Sequence, residues 1–307
     1  MNEKEKFKTT IGGQALIEGI YMRGPKKSCI SVRKPDGEIY IEAEEIGEAP
    51  LKGIPFVRGA VSMVMSLVKG YKSILKSADL SLAEEEEEPR GKFDAWLTSK
   101  LSDRVVAAIG LVGAVIGAVL SIMLFIVAPT FLTGLLNRFL PLGGFKALIE
   151  SVLKMLIFVG YLWLMTRIKD VRRVFEYHGA EHKTIACYEA REELTLENVI
   201  GKSRFHPRCG TSFLFLILII SIAIFSFVPF ENTLVRAGIK LLLIPVIVGI
   251  AYEILRYAGR HSNKLADILS APGLWMQRLT VFEPDESQIE VAIAALSEVI
   301  PEGGEFE

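Results

Sequence analysis

Beyond position 104 the chain carries hydrophobic stretches too long for an ordinary soluble domain, and this limits the fold before any other feature does. The first runs from Val105 to about Val127, with a continuation past Pro129 to Leu136. Ala147 to Met165, Phe213 to Phe230 and Ile239 to about Tyr257 follow. Each has roughly the 17–25 residues that cross a hydrocarbon layer ~30 Å thick. The whole chain of 307 residues is half hydrophobic, with a mean hydropathy of +0.37, and its apolar residues are concentrated in these runs. The pattern predicts a mainly α, polytopic membrane helix bundle of about four transmembrane helices, spanning 105–258.

The first 104 residues are more polar and predict a small α+β region on the cytoplasmic side. Ile11 to Gly24 holds four glycines in fourteen residues and reads as a loop or tight turns, with the backbone approaching something closely. Cys29 to Arg33 and Glu38 to Glu44 alternate around the turn signal Pro35-Asp36-Gly37, which predicts a β-hairpin. Pro55 opens an amphipathic helix in which Val57, Val61, Val64, Leu67, Val68, Tyr71 and Leu75 recur at helical spacing beside Lys69, Lys72 and Lys76. Such a helix rests either in a lipid interface or against a protein core. Glu84 to Glu88 reads as a solvated acidic linker. At the other end, 259–307 is expected as a cytoplasmic tail. It contains Trp275 as an interface anchor and a short amphipathic helix with Ile289, Val291, Ala292, Ala295, Leu296 and Val299 on one side.

Charge sets the expected orientation. Arg167, Lys169, Arg172 and Arg173 open a basic loop between the second and third stretches, and Arg256, Arg260 and Lys264 follow the fourth. The other two loops hold only Arg138 with Lys146 and Arg236 with Lys240. The positive-inside rule puts both termini and the loop 166–212 in the cytoplasm. No apolar core closely follows the polar N-terminus, so no cleaved signal peptide is expected. The formal net charge of −1 leaves no basic surplus to neutralise phosphates, which excludes nucleic acid as a main partner and leaves the lipid bilayer as the expected one. Cys29, Cys187 and Cys209 form no CxxC and read as reduced thiols.

All four histidines fall on the expected cytoplasmic side. His178 and His182 are four apart after a helical stretch, so both imidazoles share a face and can bind one metal ion. Glu181 stands beside the second histidine, as a general base for a metal-activated water would. This is the H-x-x-E-H pattern of the inverted zinc metallopeptidases. Gly179 weakens the helix between the two ligands. Two candidates can complete the site. Glu253, an acid inside the fourth stretch, would be the third ligand of a catalytic site, or would instead pair with Arg256 or Arg260. His206 and Cys209, three apart before the third stretch, would close a structural site with four protein ligands. In their other reading they precede a helix start capped by Thr211 or Ser212. His261 reads as a polar surface histidine.

Four blocks carry a family resemblance: GGQALIEGIYMRG (Gly12 to Gly24), EYHGAEHKTI (Glu176 to Ile185), SRFHPRCGTSFL (Ser203 to Leu214) and APGLWMQRLT (Ala271 to Thr280). Through them the chain resembles the YqhQ-like family of bacterial integral membrane proteins, from about residue 11 to 296. The resemblance implies a bacterial cytoplasmic membrane protein with the label of a predicted metal-dependent enzyme, a label that rests on the same histidine motif. It adds interest to Glu18, an acid in an apolar segment, read either as a further ligand or as a turn acid.

Three functions remain open on the sequence. One is a metal-dependent hydrolase, a peptidase among the options, with zinc on His178, His182 and Glu253. Another is a scaffold or assembly factor with a structural metal closed by His206 and Cys209. The third is a transporter built as a homo-oligomer around Glu150 and Lys154, which sit at an i,i+4 spacing in the second stretch.

Overall fold

A computed structural model describes residues 8–47, 57–82, 103–226, 233–261 and 263–301. The acidic run Glu84 to Glu88 and the end of the third hydrophobic stretch lie outside them. Strands β1 (Gly12–Leu16), β2 (Gly19–Arg23), β3 (Lys27–Arg33) and β4 (Ile39–Glu45) come first. The helices are α1 (Val57–Leu82), α2 (Asp103–Ile122), α3 (Ala128–Phe139), α4 (Lys146–Met165), α5 (Lys169–Glu189), α6 (Leu196–Ile200), α7 (Gly210–Ser226), α8 (Thr233–Arg260), α9 (Lys264–Thr280) and α10 (Glu286–Val299).

The strands form one antiparallel sheet in the order β1-β2-β3-β4. The expected hairpin is β3–β4, turning through Gly37 at φ 87°. The glycine-rich segment is not a loop: it is a second hairpin, β1–β2, reversing at Ile17 and Glu18. Its glycines serve close packing. A β-carbon at Gly19 would stand 2.5 Å from the Ser31 carbonyl oxygen, so the neighbouring strand admits only glycine there.

The sheet is buried on both faces. On one, Ile20, Met22 and Cys29 pack with Tyr177, Ala180 and Ile185 of α5 and with the inner side of α10. The stripe expected for the C-terminal helix, from Ile289 to Val299, is that buried side. On the other face, Leu16, Ile30 and Val32 form a smaller cluster with Leu80 of α1.

The chain divides into two compact units. The first comprises residues 1–83, 165–221 and 229–307, and the second residues 84–164 and 222–228. In the second unit, α2 passes into α3 through a π-helical turn at Met123–Val127, with Pro129 in the first turn of α3. Proline lacks a backbone donor and is tolerated there, so the helical run passes the proline as expected. Glu150 of α4 accepts a hydrogen bond from the Thr130 hydroxyl at 3.1 Å.

Among the described residues, three helical segments are long and apolar enough to cross a membrane: Val115–Phe139, Gly143–Met165 and Leu242–Arg260. A shorter apolar helix covers Gly210–Phe225. The third expected span is thus shorter within the described residues than its sequence stretch.

Candidate metal centre

Every side chain of the centre belongs to the first unit. Helix α5 runs without a break through Gly179 and presents His178 and His182 toward the loop before α7, while Glu181 meets Gly13 of β1. Gly179 is a contact point rather than a weak one, because a β-carbon there would collide with the Phe282 carbonyl oxygen. Phe282 donates its N–H to the Phe175 carbonyl at 3.0 Å, so the segment after α9 lies along this side of α5.

That segment and the loop fix both imidazoles. His178 Nδ1 lies 3.1 Å from the Thr280 carbonyl oxygen and His182 Nδ1 lies 2.6 Å from the Arg204 carbonyl oxygen. A carbonyl only accepts, so each Nδ1 carries the proton and donates it, and in the neutral ring each Nε2 is the nitrogen with the lone pair. His178 Nε2 is 3.1 Å from Cys209 Sγ. Ligand atoms of His178, His182 and Cys209 all lie within 4.8 Å of one another, so this trio could hold a metal ion. Around a tetrahedral zinc with bonds of 2.0–2.3 Å, ligand atoms stand about 3.3–3.7 Å apart, and the 3.1 Å between His178 Nε2 and Cys209 Sγ is close to that.

Cys209 comes just before the first turn of α7. Its Sγ accepts the Thr211 backbone N–H at 3.4 Å and lies 3.0 Å from the Thr211 hydroxyl. Burial alone would raise this thiol. His182 beside it and the two Thr211 bonds outweigh that and hold it below the ordinary thiol value, which favours the thiolate a metal needs. Burial, the largest influence on His182, depresses it against the opposing pull of Cys209. The helix thus starts at Gly210, earlier than the caps expected at Thr211 or Ser212.

Glu181 is buried beside the trio. Burial pushes its carboxyl up to about 7 against the opposing influence of His178 and a hydrogen bond from the Gly13 backbone N–H. Among the described residues its Oε2 has no hydrogen-bond partner. The glycine of β1 is what allows this approach: a β-carbon at Gly13 would stand 3.0 Å from Glu181 Cδ and 2.6 Å from the Tyr21 carbonyl oxygen.

The other candidates have different partners. His206 is close, with its ring centroid 5.6 Å from that of His182, yet its Nε2 faces Glu189 at 3.3 Å and its Nδ1 accepts the Arg208 N–H at 3.4 Å. Both nitrogens are engaged, which leaves none for a metal. Glu189 also takes the Arg208 guanidinium and the Thr9 N–H, so the loop is tied to α5 and to the N-terminal segment. Glu253 is outside the trio. Arg58 of α1 grips both its carboxylate oxygens, at 2.8 and 2.6 Å, with Arg256 3.9 Å away. Glu18 occupies the β1–β2 turn at φ 49° and pairs with Arg173, while its Oε2 accepts the Tyr177 hydroxyl at 3.1 Å; it is a turn acid, not a ligand. His261 stacks on Tyr257. Gln277 is a further positioning residue. It brackets the His206 backbone from both sides, accepting its N–H at 2.9 Å and donating to its carbonyl at 2.7 Å. The backbone carbonyls of Thr280 and Arg204 leave no signal in a sequence.

These features define a class: a protein with helices apolar enough for the membrane, and a mixed α/β unit in which two histidines and a cysteine could hold a metal. The chain belongs to the family described as "Protein of unknown function (DUF1385)", which matches residues 54–302. It is 34% identical over 310 residues to the "Uncharacterized protein YqhQ" of Bacillus subtilis (strain 168), covering 97% of this chain and 94% of that protein, in keeping with the family resemblance read from its motifs. No solved structure matches it.

Proposed function

We propose that this protein is a metal-dependent hydrolase of the bacterial cytoplasmic membrane, working on its cytoplasmic side with both termini in the cytoplasm. One observation carries the enzymatic part. Each histidine is oriented through Nδ1 by a main-chain carbonyl, so that its Nε2 is left for the pocket that holds the Cys209 thiol. Histidines that ligate metals characteristically donate their other ring N–H in this way. A thiolate with two imidazoles suits zinc best among common divalent ions.

The ligand count favours catalysis over scaffolding. A structural zinc is closed by four protein ligands, and His206, the fourth expected, has both nitrogens engaged. Three protein ligands leave one position open, where a bound zinc activates water or polarises a carbonyl, a peptide carbonyl among the candidates. Glu181 is suited to move the proton. Its carboxyl, raised to about 7, exchanges a proton readily near neutrality, and its free Oε2 offers an acceptor without first breaking a hydrogen bond.

The test is metal analysis of detergent-purified protein by mass spectrometry, with hydrolysis assayed on a panel of peptides and esters. About one transition metal per chain, lost in His178→Ala and Cys209→Ser, is expected. Glu181→Gln should keep the metal while losing turnover by at least about 10²-fold, as removal of a general base does. A wild-type protein that stays metal-free after incubation with zinc overturns the proposal.

A further inference from the structure

Helix α1 is built inside out. Where it meets the rest of its unit it uses small residues: Gly59 fits closely against Tyr252 of α8, Gly70 against Gln14 of β1, and the Ser77 hydroxyl accepts the Ile17 N–H at 3.3 Å. Apart from Leu80 near its end, which packs under the sheet, its most exposed large apolar side chains share one outer side. Val64, Leu67, Val68, Tyr71 and Leu75 are 56%, 63%, 52%, 65% and 48% exposed. At 3.6 residues per turn they make one continuous stripe, bordered along one edge by Lys69 and Lys72. A contiguous apolar face of this kind signals a partner surface rather than ordinary exposure.

We infer that the outer stripe of α1 lies in the interfacial layer of a bilayer containing anionic lipid. The first argument is continuity with a membrane segment. The start of α1 is fixed to Leu242–Arg260, one of the helical segments apolar enough to cross a membrane, through Gly59 on Tyr252 and the two-pronged Arg58–Glu253 pair. The second is chemistry: an apolar stripe with Tyr71 within it and lysines along its border matches acyl chains beneath anionic head groups. Lys76 is committed to Glu42, which leaves Lys69 and Lys72 as the head-group contacts. This inference does not depend on the metal reading.

The test uses the full chain in nanodiscs of phosphatidylcholine with or without phosphatidylglycerol. Nitroxide labels are attached at Leu67→Cys and Tyr71→Cys, with Glu44→Cys on exposed β4 as the water-facing control. The native cysteines are buried, and unmodified protein reports any background labelling. Oxygen should reach the labels at 67 and 71 more readily than a water-soluble nickel chelate does, with the order reversed at 44. Lys69→Glu/Lys72→Glu should shrink that contrast at 71 in discs containing phosphatidylglycerol and leave it unchanged in phosphatidylcholine alone. Labels at 67 and 71 that behave like the one at 44 overturn the inference. So does dipolar broadening between labels on separate chains, which would show a second copy covering the stripe. An equal loss in both lipids overturns the anionic component.

Discussion

At the scale of single residues, the centre depends on one glycine and one carboxyl. Gly13 supplies the N–H that Glu181 accepts, and its missing side chain lets the strand approach. Gly13→Ala is therefore expected to overpack the contact and cost about 1–3 kcal/mol of stability, read from denaturant unfolding in detergent. Glu181→Gln has the opposite character. It keeps an acceptor for the Gly13 N–H and removes a buried ionisable group, so stability should hold while activity is lost; a stability loss as large as that of Gly13→Ala would make Glu181 a structural residue. Glu253→Gln should leave metal content intact, because Arg58 rather than the trio engages that carboxylate; its loss of metal would reinstate Glu253 as a ligand. The local part of this geometry was legible in the sequence. His178, Glu181 and His182 share a helix, and helical periodicity needs no tertiary information. The sequence favoured Glu253 as the third ligand and offered Cys209 only as an alternative, because which of them arrives at α5 is decided by chain packing.

At the scale of elements, the centre is where three segments meet: α5, the loop 203–209 and the end of α9 with the residues after it. The close approach of Phe282 to Gly179 sets the spacing between α5 and the last of these, and the Thr280 carbonyl that orients His178 belongs to that segment. Gly179→Ala should push the segment away and loosen His178. The expected result is a fall in metal affinity of about 10–100-fold, the usual cost of losing such a supporting bond, measured by competition with a chromogenic chelator. An unchanged affinity would mean that the two segments separate without moving the Thr280 carbonyl. The same residue shows where sequence reading stops: glycine inside a helix looks like a propensity defect until the segment crossing it is seen. The glycines of β1 and β2 were legible as points of close backbone approach but not as strand residues, since turns and close strand packing both select glycine. The stripe of α10 was legible because its period of 3.6 and its burial coincide, and α1 was only half legible because its small residues face inward.

At the scale of the whole molecule, every residue of the trio and its supports lies in one of the two units, although the sequence separates Gly13 from Thr280 by most of the chain. A metal bound there would cross-link α5 to the loop before α7, and through the Thr280 carbonyl it would steady the end of α9. Its removal should therefore loosen segments that are distant in sequence together. A ligand present at 100 times its dissociation constant contributes about 2.7 kcal/mol to the folded state, so chelation of the loaded protein should lower the unfolding temperature by several degrees. Hydrogen exchange should localise the change. Amides in 203–212 and 278–283 are expected to lose protection on chelation, while those of α3 and α4 in the other unit keep theirs. The His182→Ala protein should show the loosened pattern from the outset and no response to chelator. Protection lost evenly through both units would mean that the metal supports the whole fold rather than a local centre, and the catalytic reading would then give way to a structural one.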